Sequence, residues 1–598
     1  MPDIHLPRSV EIVFDIACAL LVAFAIFLIL MVFPAVATPV TNWSLRQWGP
    51  KDASVSRAHL RFPAVNEMTL ENFQAPGTAE ADSGELRVNF FGFLPGLSWV
   101  SRAEARNGYI VVRMDEPEGG NEGMTLKDWR ALIDEVRAKD IEVRFVRDQG
   151  TEPIMVQTAT GSLRTGDLSV TASSSGLDLD FEGRARPSDL SVLSGKLKMS
   201  GDNFADFANL AGFASPDTPP YDAVAYLTFS RQKIALDFAP ETRIGDSDLS
   251  GPLKITFGEG TPLLEADLQS ANLDFDDLGI LFGIPVGTGE NETTNTVQKK
   301  TREAYDASGR LIPNAVIDFT RLDAVDGHVL YHANRVTNAI FDIRGIKLEF
   351  NIEGRVVRAP TLQLDFEEGH LVSYVTLDGS QSPAKTDAQG ELTNVPFSNL
   401  SLTPFVRGNA NGRFQIEAMG DGFQEAAATL DGRVSVWSET AELWALAAEG
   451  AALDLGEAIT LLGEAPEDRT YTPARCAALS IRFDQGIGEL DPAIVDTADS
   501  LVIVDGKLNM RHEMMDLKVR SDAKDASFGS LIGNVSIMGT FRDPQISALS
   551  GETILQLGIS ALLGSVSGGL AALPFIEPGM AEDAPCGTIM ARTKGAQP

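Results

Sequence analysis

Cysteine, histidine and basic residues are scarce in this chain of 598 residues, and each shortage excludes a class of protein. Three cysteines and six histidines are too few for a disulfide-rich fold or a His/Cys metal centre. Lysine and arginine total 49 against 83 acidic residues, so the formal net charge is −34. Nucleic acids and anionic lipid surfaces bind electropositive proteins, so we expect no nucleic-acid partner and no peripheral docking on a charged membrane.

The motifs of common enzyme classes are also absent. The sequence has no Gly-rich phosphate loop, no G-x-S-x-G, no H-E-x-x-H and no C-x-x-C. His328 and His332 share one side of a predicted strand but lack further ligands. Asp274, Asp276 and Asp277 lack the later glycine and glutamate of a calcium loop, and they fit a helix cap better. We therefore expect no enzyme activity, no catalytic residue, no cofactor and no metal site.

An uncharged apolar run of 22 residues occupies positions 16–37. About 20 helical residues span the hydrocarbon of a bilayer, so the run predicts a membrane anchor with Trp43 and Trp48 at interfacial depth. The A-V-A tripeptide at 35–37 also fits a signal-peptidase site, which leaves a cleaved signal peptide as the alternative. Basic residues after the run favour a body inside the cell, but this rule is weak for long domains.

Most of the remaining chain consists of short segments in which apolar and polar residues alternate. Successive side chains of a strand point to opposite faces, so the pattern predicts about thirty strands with one apolar face. Helical crossovers are missing between most of them, which excludes parallel βαβ units and predicts antiparallel pairing. The clearest segments predict that the apolar face is lined by Leu177, Leu179, Phe181, Ile346, Leu348, Phe350, Ile352, Leu362, Leu364, Phe366, Met515, Leu517 and Val519.

Few segments have a helical pattern. Residues 126–138 are amphipathic, and residues 440–449 and 455–462 form a second predicted pair of helices. Residues 553–575 are uncharged and rich in glycine, alanine and serine. They form either a helix over the end of the sheet or a second membrane span.

Three segments are similar enough to be diverged copies of one module. Residues 195–210, 268–281 and 392–400 each predict a strand, a step of asparagine and an apolar residue, and a short helical turn. The polar segment 286–309 predicts a mobile loop or linker. These features divide the chain into an anchor (1–40), a first β segment (41–285), a linker (286–310), a second β segment (311–437) and a C-terminal module with an end helix (438–598).

Cys476 and Cys586 stand apart from Cys18, which lies in the apolar run. Both occupy the polar ends of apolar segments. In an oxidising compartment they could form a disulfide bond, and two separate thiols are the alternative.

The chain resembles the AsmA family of bacterial envelope proteins. The resemblance covers most of the chain after residue 54 and lies in the N-terminal apolar run, residues 247–283, 311–331, 430–458, Cys476, 505–525 and 539–547. It implies a single-pass inner-membrane protein with a periplasmic body, in which a long curled antiparallel sheet with a few short covering helices forms a groove. It also implies a role in moving phospholipid between membranes or in outer-membrane homeostasis.

The apolar face is a second reason to expect a lipid ligand. The predicted helices are too few to cover it, so either two sheets pack face to face or one sheet curls around a trough. Acyl chains would fill a trough without directional contacts, because burial contributes about 0.8 kcal/mol per methylene. We expect passive phospholipid carriage, with the membrane and outer- or inner-membrane proteins as partners. A non-catalytic scaffold for outer-membrane proteins is the alternative, and a secreted glycan enzyme is a third hypothesis.

Overall fold

The structure is a computed structural model. It describes residues 19, 22–48, 52–92, 97–113, 132–147, 150–174, 176–186, 189–211, 217–230, 232–258, 260–279, 285, 287, 292–314, 316–317, 319–339, 341–400, 406–444, 471–524, 527–528, 534–548, 576–577 and 581–595. The chain forms two compact units. The first holds residues 1–210 and 222–236, and the second holds residues 211–221 and 237–598.

Strands dominate the described residues, as the alternation predicts. Up to residue 238 they are β1 Ser54–Leu60, β2 Glu67–Ala75, β3 Ala79–Val88, β4 Val100–Arg113, β5 Ile133–Arg147, β6 Gly150–Ser162, β7 Asp167–Ser174, β8 Leu177–Arg186, β9 Asp189–Gly201, β10 Tyr221–Ser230 and β11 Lys233–Phe238.

The later strands begin at residue 243. They are β12 Arg243–Ile244, β13 Ser247–Asp248, β14 Gly251–Thr256, β15 Leu263–Ser270, β16 Leu273–Asp274, β17 Asp326–Ala333, β18 Val336–Thr337, β19 Gly345–Glu353, β20 Val356–Asp365, β21 His370–Asp378, β22 Lys385–Pro396, β23 Val406–Arg407, β24 Asn409–Met419, β25 Asp431–Ser438, β26 Glu442–Trp444, β27 Tyr471–Asp484, β28 Ile487–Thr497, β29 Ser500–Asn509, β30 Met514–Ala523, β31 Ser527–Phe528, β32 Asn534–Thr540, β33 Pro544–Ala548 and β34 Ile576–Glu577. Thirty strands hydrogen-bond into one sheet, which confirms the predicted number, and β16–β18 and β31–β34 form two small sheets.

Among the described residues the helices are short and few. They are α1 Val22–Leu30, α2 Pro34–Trp48, α3 Phe204–Ala211, α4 Phe275–Gly279, α5 Thr296–Ser308, α6 Phe423–Ala428 and α7 Cys586–Gly595, with 3-10 turns at Phe319–Ala324 and Phe397–Leu400.

The N-terminal apolar run does not form the single straight helix that its length predicts. Helices α1 and α2 meet at an angle of 99°. The break directly precedes Pro34, which has no backbone N–H to continue the hydrogen bonding of α1. Beyond the bend, Ala37 packs with Val55 and Leu70 of the sheet. Among the described residues no single helix is long and apolar enough to cross a membrane, whereas this bent pair meets both requirements together.

Some of the described strand pairs are parallel, which is an exception to the predicted antiparallel pairing. The small sheet of β16 and β18 is one of them. In the first unit, β4 runs parallel to β5 with Val100 opposite Ile133. In the second unit, β15 runs parallel to β17 with Leu263 opposite Asp326. Parallel neighbours need a long crossover. The crossover from β15 to β17 contains α4 and α5. The sequence did not predict it, because a pattern of short strands predominates elsewhere in the chain.

Two helix predictions are wrong where the structure describes them. Residues 133–138 belong to β5 and residues 442–444 form β26. Strand β5 pairs with β4 on one side and β6 on the other, and this pairing overrides the amphipathic pattern. Residues 126–131, 445–449, 455–462 and 553–575 lie outside the described residues.

Helix α5 replaces much of the predicted mobile loop at 286–309. Its first turn carries a capping box: Gln298 N–H donates to Asn295 Oδ1, and Asn295 N–H donates to Gln298 Oε1, each at 2.9 Å. Gly309 ends the helix in the left-handed conformation, with φ of 67°. The spacing of asparagine and glutamine is a local helix signal that the polar composition obscured.

The three predicted modules are confirmed as strands that lead into short helical turns. Strand β9 is followed by α3, β15 and β16 by α4, and β22 by the 3-10 turn Phe397–Leu400. In the first copy, Asn203 Oδ1 accepts a hydrogen bond from Ala205 N–H at 3.0 Å. An asparagine side chain in this place satisfies a backbone donor at the start of a helix.

Candidate functional site

Apolar residues of neighbouring strands in the second unit align into rows. Residues directly opposite each other in paired strands point to the same face. The strand register aligns one such line, which we call the Phe414 row. It consists of Tyr331, Leu348, Leu362, Ser373, Gly390, Phe414, Val434, Ile481 and Leu490. Its polar member, Ser373, donates its hydroxyl to Leu362 O at 3.3 Å.

A second line, the Phe483 row, lies beside the first on the same face. It consists of Val375, Ala388, Ile416, Gly432, Phe483, Gly488, Leu508, Met515 and Gly539. Of the predicted lining residues, Leu348 and Leu362 thus lie in the Phe414 row and Met515 in the Phe483 row. Strand alternation places Leu517 and Val519 on the same side as Met515, and Phe350 and Ile352 on the same side as Leu348.

Most large side chains of the two rows are half-buried rather than buried. Leu348, Phe414, Ile416, Ile481 and Met515 all keep part of their surface exposed. Side chains between two packed sheets are normally buried on both sides. Within the described residues, these rows therefore form an apolar face that is not fully covered by a second layer.

One end of this face is closed by two covering turns, which are α4 and the 3-10 turn Phe397–Leu400. Ile346 and Phe366 are buried in a cluster with Leu273 of β16 and Val395 near the end of β22. Leu364 packs against the same cluster. These three predicted lining residues therefore lie in a packed core, whereas Leu348 and Leu362 lie one row further along the strands.

The first unit has its own apolar cluster on β6–β8. Leu179 packs against Ile154, Val156 and Ala172. Leu177 and Phe181, two positions away on either side, are buried at 3% and 8% exposure. Of the three lining residues predicted on β8, Leu179 alone is half-buried.

The opposite face of the second unit carries α7. Cys586 at its start forms a disulfide bond with Cys476 of β27, with the two Cα atoms 5.7 Å apart. Under the helix, the hydroxyls of Ser435 and Ser480 lie 2.9 Å apart, and both residues are buried. Ser435 alternates with Val434, so α7 covers the polar side of the sheet and leaves the apolar rows free of this helix.

A buried ion-pair network lies beside the disulfide. Asp496 is fully buried and pairs with Lys524 and with Arg475, the latter at 3.1 Å. Lys524 also pairs with Asp583 at 2.8 Å. Burial lowers the pKa of Lys524, but its hydrogen bonds to Asp496 and Asp583 outweigh this and raise the pKa above its ordinary value. The sequence carried no local signal for this network, because its members are far apart in the chain.

An acidic cluster lies where α4 begins. Asp277 Oδ2 accepts hydrogen bonds from Ser247 Oγ at 2.6 Å and from the backbone N–H groups of Asp246 and Ser247. Burial nevertheless raises the pKa of Asp277 to about 7. Burial also raises the pKa of Asp274 to about 7, with a further contribution from Asp276. Asp277 thus ties α4 to β13.

A polar cavity of about 590 Å³ in the first unit is lined by Ser101, Asp134, Glu135 and Arg164, among others. Asp134 is paired with Arg164 at 2.5 Å. Burial raises the pKa of Glu135, but the guanidinium groups of Arg137 and Arg102 outweigh it and hold the pKa below its ordinary value. A glycosidase general acid needs the opposite shift, so Glu135 does not fit that role.

Comparison with known proteins finds a family match over the strands that carry most of both apolar rows. Residues 225–491 match the model of the AsmA family. The chain is 24% identical over 411 residues to AsmA family protein YhjG of Escherichia coli (strain K12), which covers 67% of this chain and 59% of that protein. The chain thus spans less than two thirds of that relative's length. The resemblance noted in the sequence is confirmed over residues 225–491, which match a domain of the AsmA family.

Proposed function

We propose that this protein carries phospholipid by holding acyl chains against the Phe414 and Phe483 rows. The observation that supports this most is the combination of aligned apolar register and incomplete burial across consecutive strands of the second unit. An apolar surface of this extent in a soluble body usually has an apolar partner. The match of residues 225–491 to the AsmA family supports an envelope-associated role.

Acyl chains suit this face because the face offers few directional contacts. Its members are aliphatic, aromatic or glycine residues, and Ser373 already uses its hydroxyl within the sheet. Each methylene that leaves water contributes about 0.8 kcal/mol, so ten methylenes contribute on the order of 8 kcal/mol. Binding of this kind holds a lipid without selecting a fixed position along the row.

The packed cluster around Ile346 and Phe366 limits where a lipid could lie. These residues are already covered by Leu273 and Val395, so an acyl chain finds no free surface there. The half-buried rows beyond them are the region we assign to lipid. Transfer along them is passive, and its direction comes from a lipid gradient or a partner protein.

We further propose an inner-membrane anchor and a periplasmic body. The bent pair α1–α2 has the apolarity and combined length that an anchor requires. The disulfide between Cys476 and Cys586 favours an oxidising compartment for the second unit.

Site-specific photo-crosslinking tests the proposal. A photoreactive residue at Leu348 or Phe414 should capture phospholipid in living cells. Its matched control is the exposed neighbour on the other face, Lys347 for Leu348 and Gln415 for Phe414, where no lipid adduct should form. Leu364, in the packed core, should also give no lipid adduct.

Adducts to protein alone at both Leu348 and Phe414 would contradict lipid carriage. They would show that protein covers the rows, and the scaffold hypothesis would replace the present one. Equal lipid capture at Phe414 and Gln415 would show insertion into a membrane rather than binding on one face, and would also contradict it.

A further inference from the structure

Asp274 has a buried carboxylate oxygen without a hydrogen-bond donor. The residue is 8% exposed. Its Oδ2 accepts a hydrogen bond from Asn338 Nδ2 at 2.8 Å, whereas its Oδ1 has no partner among the described residues. Removing a charged oxygen from water without a replacement partner is costly. An oxygen in this state points to a positively charged ligand.

Two more carboxylates converge on the same point. One oxygen from each of Asp274, Asp276 and Glu292 lies within 4.8 Å of the others. The charged groups that act on Asp274 are Asp276 and Asp277, and those that act on Glu292 are Asp276 and Asp246. All are acidic, so the cluster brings several carboxyl groups together around Asp274.

Backbone and amide donors hold these carboxylates in place. Gly287 N–H donates to Asp276 Oδ2 at 2.5 Å. Asn338 Nδ2 donates to Glu292 Oε1 at 3.3 Å as well as to Asp274. Asn338 therefore orients two of the three acids, as outer residues of metal sites commonly do.

We propose that Asp274, Asp276 and Glu292 bind one Ca²⁺ ion. Carboxylate oxygens are the ligands that hard divalent cations prefer, and Ca²⁺ takes oxygen ligands at about 2.3–2.6 Å in irregular geometry. Oxygens on opposite sides of such an ion are about 4.6–5.2 Å apart, so oxygens within 4.8 Å can share it. Water molecules complete the coordination. This site departs from the sequence expectation of no metal.

The ion would connect segments that lie apart in the chain. Asp274 and Asp276 belong to β16 and α4, Glu292 precedes α5, and Asn338 follows β18. Leu273, adjacent to Asp274, packs into the core that closes one end of the apolar face. Ca²⁺ binding therefore links two parts of the crossover, α4 and the segment that precedes α5. The inference does not depend on lipid carriage.

The test uses the full-length protein in detergent, stripped of metal with a chelator. Hydrogen–deuterium exchange of residues 273–279 and 336–338 should slow when Ca²⁺ is added, and calorimetry should show the same saturation. Glu292→Gln should weaken Ca²⁺ affinity by about tenfold or more, because the site loses one of its charged ligands. Glu303→Gln is the matched control: this exposed acid on α5 lies outside the cluster and should leave the affinity unchanged.

Asp274→Asn separates loss of the ion from loss of folding. It keeps the shape of the side chain and removes one repelling charge, so exchange without Ca²⁺ should be no faster than in the wild type. The response to Ca²⁺ should disappear. Absence of a Ca²⁺ effect in the wild-type protein, wild-type affinity in Glu292→Gln, or a response to Mg²⁺ alone would each overturn the proposal.

Discussion

Phe414 lies directly opposite Gly390, and its ring occupies the space that a side chain at Gly390 would need. A Cβ built at Gly390 would lie 2.6 Å from Phe414 Cε1 and 2.7 Å from Val372 O. Phe483 and Gly488 repeat the relationship across β27 and β28, with Phe483 Cε1 2.7 Å from such a Cβ. In both pairs an aromatic ring packs over the glycine of the neighbouring strand. The apolar face is therefore continuous where the glycine has no side chain.

Gly390→Ala should destabilise the second unit by about 1–3 kcal/mol, because the added methyl must displace the Phe414 ring and meets a backbone oxygen. Thermal unfolding of the full-length protein measures the effect. Gly260→Ala, where nothing lies within 4 Å of the added Cβ, is the control. Equal unfolding midpoints for the two variants would refute the steric argument.

Ile416→Asp should sharply reduce the phospholipid that copurifies with the protein. The carboxylate would stand unpaired among acyl chains, which is costly, but the half-buried site lets it reach water when lipid is absent. Gln415→Asp makes the neighbouring change on the other face and should leave the lipid content unchanged. Quantitative lipid analysis of the purified variants checks both, and undiminished lipid in Ile416→Asp would contradict the assignment of the face.

Reduction of the Cys476–Cys586 bond should loosen the attachment of α7. The cysteines are separated by 110 positions, and the chain-entropy model gives a loop of this length about 4–5 kcal/mol as an upper figure. Oxidised wild-type protein should migrate faster than reduced protein in a denaturing gel, and Cys586→Ser should abolish the difference. Free alkylation of both thiols in protein taken from cells would contradict the pairing and weaken the periplasmic proposal.

Lys524→Met should destabilise the region around Asp496 by on the order of 3 kcal/mol, because a fully buried carboxylate loses one of its two cationic partners. Lys507→Met removes an exposed lysine paired with Glu489 and should have a much smaller effect. Chemical denaturation followed by tryptophan fluorescence compares the stability of the two variants. Equal losses of stability would show that the buried ion pair contributes no more than the exposed one.

The ion pair of Lys524 with Asp496 also predicts that the stability of the protein changes with pH in the alkaline range. The pKa of Lys524 is raised in the folded protein, so its contribution is fully present below its unfolded pKa and is lost as the pH rises through the folded value. The unfolding midpoint of the wild type should therefore fall more steeply at alkaline pH than that of Lys524→Met. Parallel pH profiles would refute this linkage.

Local patterns in the sequence were sufficient to predict most of the strands and the alternation of their faces. Leu348 and Lys347, or Met515 and Asp516, lie on opposite sides because the period of two is a property of the extended backbone. The helical turns after β9, β16 and β22 were predictable for the same reason, since their capping residues act within a few positions. The Asn295–Gln298 box was a local signal of equal quality, although the polar composition around it favoured a loop.

Contacts between distant segments decided the rest. The parallel pairing of β4 with β5, the strand at 442–444 and the bend before Pro34 depend on which partner each segment meets, and alternation alone does not contain that information. Alternation equally could not distinguish Ile346, packed beneath Leu273, from Leu348, which remains half-buried. Both residues have the same local pattern, and the difference comes only from the covering turns that the tertiary structure brings over one end of the sheet.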